Sequence, residues 1–151
     1  MEEFYISTDK SLMNPKVVHS FLSRCYWSLN VPETIVRKSM ENSFCFGVFK
    51  NKEQIGFARV ITDYTTFAYL ADVFIHEDYR GNGLSKKLME HITKHPELGT
   101  IRRWMLATND AHGLYKKFGF SALSKPEIMM EKYFPDIYNS KEFKSSQTEN
   151  E

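Results

Sequence analysis

The chain has 151 residues, of which 42% are hydrophobic and 15% aromatic, which suits one folded domain and excludes an intrinsically disordered chain. Its 20 Lys and Arg residues nearly balance 19 Asp and Glu residues, giving a net charge of +1. This balance excludes strong electrostatic attraction to nucleic acid or to an anionic membrane. No apolar stretch approaches the roughly 20 residues of a membrane-spanning helix, and the N-terminus lacks the features of a signal peptide. We therefore expect a soluble, cytoplasmic protein.

The first half of the chain is predicted to form a strand, two helices and a hairpin. Phe4 to Ser7 form a short strand, and Pro15 is suited to the first turn of a helix. Apolar residues then recur at helical spacing, at Val17, Val18, Phe21, Leu22, Cys25 and Leu29. Pro32 ends this helix and opens a second one, with Ile35, Val36 and Met40 on its buried side. An antiparallel hairpin is predicted next, with strands at Phe44 to Lys50 and Gln54 to Thr62 joined by a polar turn.

The second half begins with an almost continuously apolar strand, Phe67 to Ile75, as expected of a central strand covered on both faces. A helix with Leu84, Leu88 and Ile92 at steps of four follows and ends before Pro96 and Gly99. Four further elements are then predicted: a strand from Arg103 to Ala107, a helix from Asp110 to Phe118, and strands at 120–123 and 128–133. This order favours a single α/β domain, residues 1–135, followed by a polar tail, residues 136–151.

A glycine-bearing turn lies between the apolar strand and the next helix. The first N–H groups of a helix lack carbonyl partners, and the helix dipole adds positive charge there, so the segment is a candidate anion site. Gly81 and Gly83 would let the backbone approach a phosphate, and Arg80 could add a full charge. The turn is neither a Walker loop, since no Gly-Lys-Ser/Thr follows, nor a dinucleotide GxGxxG, since the third glycine is missing.

The residues from Val73 to Ser85 resemble the acetyl-CoA-binding segment of the GNAT superfamily of N-acetyltransferases. That signature is Arg or Gln, two residues, Gly, one residue, then Gly or Ala. Here it reads Arg80, Gly83 and Ser85, so a small serine stands at the last position.

A second segment resembles the later motif of the same family, which is Leu-Tyr, two or three residues, then Gly-Phe. It reads Leu114-Tyr115 and Gly119-Phe120 here. The family's usual Asn, seven residues before the Tyr, is Thr108, and Asn109 follows one place later. Asn109 is therefore a weaker candidate for a cofactor contact.

The resemblance implies an α/β (α+β) GNAT fold, with a mostly antiparallel central sheet of about six to seven strands flanked by four helices. It implies acetyl-CoA as cosubstrate and direct acetyl transfer to an amine acceptor. The implied cofactor-binding residues are Val73, Phe74 and Ile75 for the pantetheine arm, Arg80, Gly81, Asn82, Gly83, Leu84 and Ser85 for the pyrophosphate, with Asn109 and Tyr115. Tyr115 falls where the family commonly places the acid that reprotonates the leaving thiolate. The family often forms homodimers, so a homodimer is one option here.

Asp72 interrupts the apolar strand, and a buried carboxylate needs a partner or a function. It either pairs with a group such as Arg59 or faces the acceptor amine in catalysis, and the residues leave both interpretations open. Trp27, Tyr64 and Tyr69 could line the acceptor site, although aromatic side chains are more often part of the core.

Other candidate groups favour simpler interpretations. His91 and His95 have the spacing of a metal pair without an evident third ligand, so we expect no metal. His112 is a candidate general base but more often a solvated helix residue. Cys25 and Cys45 lie in neither motif, which argues against a covalent acetyl-enzyme. Two alternatives stay open: a coenzyme A-binding module without turnover, and transfer of an acyl group other than acetyl.

Overall fold

Residues 3–139 are described by a computed structural model, and they form five strands and four α-helices. The strands are β1 (Phe4–Ser7), β2 (Phe44–Lys50), β3 (Glu53–Thr62), β4 (Phe67–Ile75) and β5 (Arg103–Met105). The helices are α1 (Pro15–Leu22), α2 (Glu33–Glu41), α3 (Leu84–Thr93) and α4 (His112–Lys116). No helix in this part of the chain is long and apolar enough to cross a membrane.

The strands lie side by side in the order β1-β2-β3-β4-β5. The first three pairings are antiparallel, whereas β4 and β5 run parallel because α3 carries the chain back between them. The predicted mixed α/β fold with a mostly antiparallel sheet and four helices is therefore confirmed.

Alternating side chains of the sheet supply two hydrophobic clusters, one on each face. On β2, Phe46 and Val48 point into a cluster that α3 covers, while Cys45 and Phe49 point into a cluster under α1 and α2. Side chains of α4 also join the α3 cluster. Helices thus cover both faces of the sheet, and β2 with most of β3 forms its fully buried centre.

Helix α1 is shorter than predicted: it ends at Leu22, and residues 23–30 form turns instead of continuing toward Leu29. Two serines explain the early end. Ser28 Oγ donates to the Leu22 carbonyl at 2.7 Å and Ser23 Oγ to the Ser20 carbonyl at 3.3 Å. Such side-chain hydrogen bonds offer the backbone an alternative to helical pairing.

The two late strands predicted at 120–123 and 128–133 are wrong for this chain. Gly119, at φ 91°, turns the chain after α4, and residues 121–134 then run as an exposed segment with one 3₁₀ turn at Pro126–Ile128. The sheet of residues 3–139 consequently has five strands instead of six or seven.

Strand β4 is not buried on both faces as predicted, since Ala71, Asp72 and Val73 are only half-buried. The predicted polar tail, residues 136–151, lies mostly outside the described residues. Its beginning forms a 3₁₀ turn at Ile137–Asn139, where Tyr138 packs against the α1 and α2 cluster.

Candidate active site

Strands β4 and β5 separate after only three pairs of residues. The pairs are Phe67 with Arg103, Ala68 with Trp104 and Tyr69 with Met105. Beyond Tyr69 no described strand lies along this edge of β4, although the strand continues to Ile75. Backbone groups of the 70–75 segment that point away from β3 are therefore available to hydrogen-bond an extended ligand, in the manner of strand addition, except that the Ile75 carbonyl already accepts from Arg80.

A β-bulge sits directly after the point of separation. Arg59 of β3 pairs with Ala71 and Phe57 pairs with Phe74, so two residues of β4 oppose Ala58 alone. Asp72, the first of the two, has φ 56°, in the left-handed region that non-glycine residues seldom occupy. Because a bulge bends the strand that carries it, this one accounts for the departure of β4 from β5.

Hydrogen bonds from two other elements hold the Asp72 carboxylate. Its Oδ2 accepts from Arg59 Nε at 2.9 Å, and its Oδ1 accepts from Trp27 Nε1 at 3.0 Å. Arg59 also donates from Nη1 to Ser43 Oγ at 3.1 Å. The Arg59 and Asp72 side chains are only 16% and 10% exposed, so this ion pair is largely shielded from water. Arg59 is thus the partner expected if Asp72 has a structural role.

The turn between β4 and α3 has the backbone geometry that the predicted anion cradle requires. Gly81 and Gly83 have φ 85° and 72°, and a Cβ at either position would meet no protein atom within 4 Å. Gly83 is the N-cap of α3 and no side chain caps the helix, so the first amides, from Leu84 onward, have no intrahelical partner. Arg80 Nε donates to the Ile75 carbonyl at 3.2 Å, which ties the turn to the end of β4.

The predicted cofactor residues 73–75 and 80–85 lie in one continuous stretch from the end of β4 to the start of α3, but several can act only through their backbone. The Leu84 side chain points from α3 into the hydrophobic cluster on that face of the sheet. The Phe74 side chain points into the cluster on the other face, under α1 and α2. Asn82 uses its side chain within the turn, donating from Nδ2 to the Tyr79 carbonyl at 2.9 Å.

An ion pair that the sequence did not indicate reduces the negative charge beside this cradle. Arg24 Nη1 lies 2.5 Å from Glu77 Oε1, which links the end of α1 to the turn after β4. Hydrogen bonding from Arg24 lowers the pKa of Glu77 to about 2. The pairing offsets a carboxylate charge that would otherwise repel an anion bound at the start of α3.

Tyr115 of α4 is nearly buried, with 9% of its surface exposed, and its ring packs edge-on against Phe120 at 6.0 Å. Burial raises the pKa of the hydroxyl, and the nearby Asp110 and Tyr26 raise it further. No hydrogen bond to this hydroxyl is present within the described part of the chain, and no polar side-chain atom there is both buried and unpaired. The hydroxyl therefore keeps its proton at neutral pH, and its oxygen is not fully enclosed by protein atoms.

Tyr26 lies in the connection between α1 and α2 and contacts residues on both sides: Asn109, which precedes α4, and Trp27, which holds the bulge. Its hydroxyl accepts from the Asn109 N–H at 3.3 Å, and its ring contacts Trp27 edge-on at 5.0 Å. Asn109 thus makes a backbone contact, and Thr108 Oγ1 accepts from the Ala111 N–H at the start of α4. Sequence reasoning missed Tyr26 because it assigned these residues to a longer α1.

The other residues that the sequence suggested for the site lie away from the open edge of β4 and the glycine turn, or next to them. Tyr64 packs on Phe44 at the far end of β4, and Tyr69 is half-buried in the last pair with β5. His112 is exposed at the first position of α4. His95 packs edge-on against Phe44 while His91 is exposed, so the two rings do not face a shared ligand position.

Both cysteines are poor nucleophiles at neutral pH. Burial raises the pKa of each thiol to about 11, and neither belongs to the cradle or the open edge of β4. Cys25 Sγ instead donates to the Phe21 carbonyl at 3.4 Å.

Comparison with known proteins identifies the fold and the family. Residues 41–122, more than half of the chain, match the acetyltransferase (GNAT) domain. This chain belongs to the GNAT family. The matched region contains the hairpin, β4, the glycine turn, α3, β5 and α4, and so includes both segments whose resemblance the sequence indicated.

Solved structures and curated relatives agree with this assignment. A GNAT-family protein from Xanthomonas campestris, provisionally named an acetyltransferase, is 44% identical, with a TM-score of 0.89 over 93% of this chain and 99% of its own. FG08082 of Gibberella zeae, also a provisionally named acetyltransferase, is 26% identical over 76% of this chain and 77% of its own. A Clostridium acetobutylicum protein crystallised with acetyl-CoA shares the fold, with a TM-score of 0.62, 14% identity and coverage of 88% and 96%.

Replacing Asp72 with Asn tests whether its charge stabilises the bulge. Asn tolerates the left-handed conformation as Asp does, so the variant removes the charge and leaves Arg59 without its counterion. We expect the free energy of unfolding to fall by about 1–3 kcal/mol. Urea unfolding measures the change.

Glu33→Gln is the matched control, because it removes the carboxylate of an exposed pair with Arg37 at 2.8 Å. An exposed i,i+4 pair contributes about 0.5 kcal/mol or less. Equal losses in the two variants would show that the Asp72 pair does not hold the bulge.

Proposed function

We propose that this protein is an acetyl-CoA-dependent N-acetyltransferase that transfers the acetyl group directly to an amine. The proposal rests above all on one observation: the open edge of β4 runs into an uncapped helix start that bears two left-handed glycines. Such an arrangement suits a long ligand with a peptide-like arm and a pyrophosphate.

The residues present fit acetyl-CoA. The N-terminal amides of α3 bind the pyrophosphate, with Lys86 and Lys87 exposed in the first turn as additional positive charges. Peptide groups of Val73 and Ile75 bind the amide-containing arm along the open edge. When bound, acetyl-CoA supplies an acetyl group activated as a thioester.

Tyr115 is the proposed general acid. As the acceptor nitrogen forms its bond to the acetyl carbon, the carbon–sulfur bond breaks and the sulfur leaves with the electron pair. A free thiol has a pKa of roughly 8.5, so the leaving sulfur gains from a proton at hand. The Tyr115 hydroxyl, whose pKa is raised above the usual value of 10, still carries a proton to donate at neutral pH. The acceptor nitrogen loses its own proton to solvent.

Direct transfer is favoured over a covalent acetyl-enzyme by the state of the thiols. With pKa values raised to about 11, Cys25 and Cys45 hold almost no thiolate at neutral pH. The amine is proposed to enter beside Trp27, with Asp72 acting as a positioning residue. Both Asp72 oxygens already accept hydrogen bonds, so the carboxylate holds the bulge and the indole in place.

The second candidate function is a module that binds coenzyme A without turnover. The protonated hydroxyl of Tyr115 favours the enzyme, because a binding module has no use for a proton donor at the sulfur. A screen of purified protein with acetyl-CoA and a panel of small and peptide amines, following release of free thiol, separates the two. Binding of acetyl-CoA with no thiol release from any amine would favour the binding module.

Gly83→Ala tests the cradle. The added methyl group meets no protein atom, so within the protein it introduces only backbone strain, but it would lie against a phosphate bound to the helix start. We expect the dissociation constant for coenzyme A to rise by about tenfold or more, equivalent to about 1.4 kcal/mol. Isothermal titration calorimetry measures it.

Gly119→Ala is the control for strain, since it also has positive φ, 91°, and open space around a Cβ, but lies after α4. We expect this variant to lose similar stability and to keep its affinity. The cradle is wrongly placed if both variants bind coenzyme A equally well.

Tyr115→Phe tests the general acid, since it keeps the ring and removes only the hydroxyl. Loss of a general acid lowers the rate by roughly 10²–10⁴-fold, and we expect kcat to fall toward the low end of that range. Coenzyme A affinity and melting temperature should stay nearly unchanged. Because burial raises the pKa of Tyr115 above its ordinary value of 10, kcat of the wild type should show no fall from Tyr115 ionisation between pH 7 and pH 9.

Tyr5→Phe, on the stacked pair with Phe49 at the opposite end of the sheet, is the matched control and should keep full activity. Full activity of Tyr115→Phe on an accepted amine would show that Tyr115 is not the general acid and serves only in core packing.

A further inference from the structure

A groove of about 590 Å³ lies beside α1. Its lining comes from one side of α1, from the first residues of β3 with the turn before them, and from the end of β4. Small-molecule sites typically have volumes of about 300–1,000 Å³, so the groove is large enough for a ligand of its own. Neither Asp72 nor Tyr115 lines it, and the proposed reaction therefore does not account for it.

The inner surface of the groove is apolar and well packed. Phe21 of α1 stacks on Phe74 of β4 with ring centroids 3.9 Å apart and planes 11° apart. Gln54 is buried beside them with both ends of its amide in use. Its Oε1 accepts from the Asn14 N–H at 2.7 Å, and its Nε2 donates to the Gly56 carbonyl at 3.3 Å. This surface suits the apolar body of a ligand.

The outer part of the groove carries more positive than negative charge. Lys16, Arg24 and Lys52 line it and are exposed, whereas Glu53 is the one carboxylate among the lining residues. Glu53 already accepts a hydrogen bond from the Tyr79 hydroxyl at 3.2 Å. Within the described part of the chain, neither lysine forms an ion pair. The groove is therefore complementary to an anion with an apolar body.

Arg24 is the cation best suited to bind a carboxylate here. Its guanidinium lies over the Phe21 ring, 4.6 Å from the ring centroid. A guanidinium can bind a carboxylate through two parallel hydrogen bonds, which an ammonium group cannot. Arg24 makes this kind of contact with Glu77, at 2.5 Å and 3.3 Å. Because the two side chains are 53% and 41% exposed, their pairing contributes little stability and a second carboxylate can compete for Arg24.

We propose that the groove beside α1 is a regulatory site for a carboxylate with an apolar body, whose binding weakens the binding of acetyl-CoA. The bound carboxylate takes the Arg24 guanidinium and leaves Glu77 without its counterion. Glu77 lies in the turn that leads to α3, so its uncompensated charge opposes an anion at the start of that helix. The coupling is reciprocal, so acetyl-CoA weakens binding in the groove by the same factor. This regulation rests on the proposed function, whereas binding in the groove does not.

Titration of the protein without coenzyme A tests the groove itself. The probe is 4-phenylbutyrate, and 4-phenylbutanol is its uncharged counterpart. We expect 4-phenylbutyrate to shift the NMR amide signals of residues 16–24 and 52–55. The alcohol should bind about tenfold more weakly or worse, because it cannot pair with Arg24. Inorganic phosphate should not displace the probe, because it has no apolar body. Absence of these shifts, equal affinity of the alcohol, or displacement by phosphate would overturn the site.

Ser20→Trp fills the groove without removing a buried side chain. Ser20 is exposed on α1 and lines the groove. We expect this variant to lose the 4-phenylbutyrate shifts and to keep its dissociation constant for coenzyme A. Lys38→Trp, at an exposed position of α2 outside the groove, is the matched control and should bind the probe as the wild type does. Undiminished binding of the probe to Ser20→Trp would show that the probe occupies another surface.

Calorimetric titration of acetyl-CoA with and without saturating 4-phenylbutyrate tests the regulation. In the wild type, we expect the probe to raise the dissociation constant about fivefold, a small coupling because Arg24 and Glu77 are exposed. Ser20→Trp should show no rise because the probe cannot bind, and Glu77→Gln should show none because no carboxylate is released.

An unchanged dissociation constant in the wild type, or a rise that persists in either variant, would overturn the regulation. A wild type that does not bind acetyl-CoA at all would overturn the regulation and the proposed function together. The titration without coenzyme A would still decide whether the groove is a site.

Discussion

The separation of β4 from β5 is the constraint on which the rest of the site depends, and one carboxylate holds it. Asp72 occupies a backbone conformation that costs a non-glycine residue roughly 1–3 kcal/mol, and such strain persists only where surrounding contacts fix it. Arg59 comes from the neighbouring strand and Trp27 from the connection between α1 and α2. Without the bulge, β5 could continue beside β4 and close the edge that the proposed ligand needs.

The two segments that resemble the family's motifs depart from its usual residues at Ser85 and Thr108, and the backbone character of the site explains why such departures are tolerated. The proposed anion cradle is made of peptide N–H groups, so its requirements fall on backbone conformation at Gly81 and Gly83 and not on particular side chains. Ser85 is half-buried in the first turn of α3 and supplies an amide as any residue could. Thr108, where the family usually has Asn, stabilises the start of α4 through its hydroxyl. In the proposed mechanism, the chemistry that needs a side chain is concentrated at Tyr115.

Local patterns predicted the parts of the fold that local interactions decide. The bounds of β1, β2 and β4 agree with the structure, because short apolar runs and the polar or turn-forming residues that flank them define these strands. The strand, glycine turn and helix of the proposed cradle were predictable for the same reason, since they are consecutive in the chain. The bulge was not, because Asp72 is held by Arg59, 13 residues away, and by Trp27, 45 residues away. The segment after α4 shows the opposite case: its sequence predicts strands at 120–123 and 128–133, but within residues 3–139 no strand pairs with it.

Amide hydrogen exchange followed by NMR, with and without acetyl-CoA, tests the central claim most directly. If the open edge of β4 and the uncapped start of α3 form the cofactor site, acetyl-CoA should slow exchange at the amides of residues 73–75 and 84–86. Amides of β1, at the other edge of the sheet, should exchange as before. Protection confined to other parts of the chain, with residues 73–75 and 84–86 unchanged at saturating acetyl-CoA, would contradict the account.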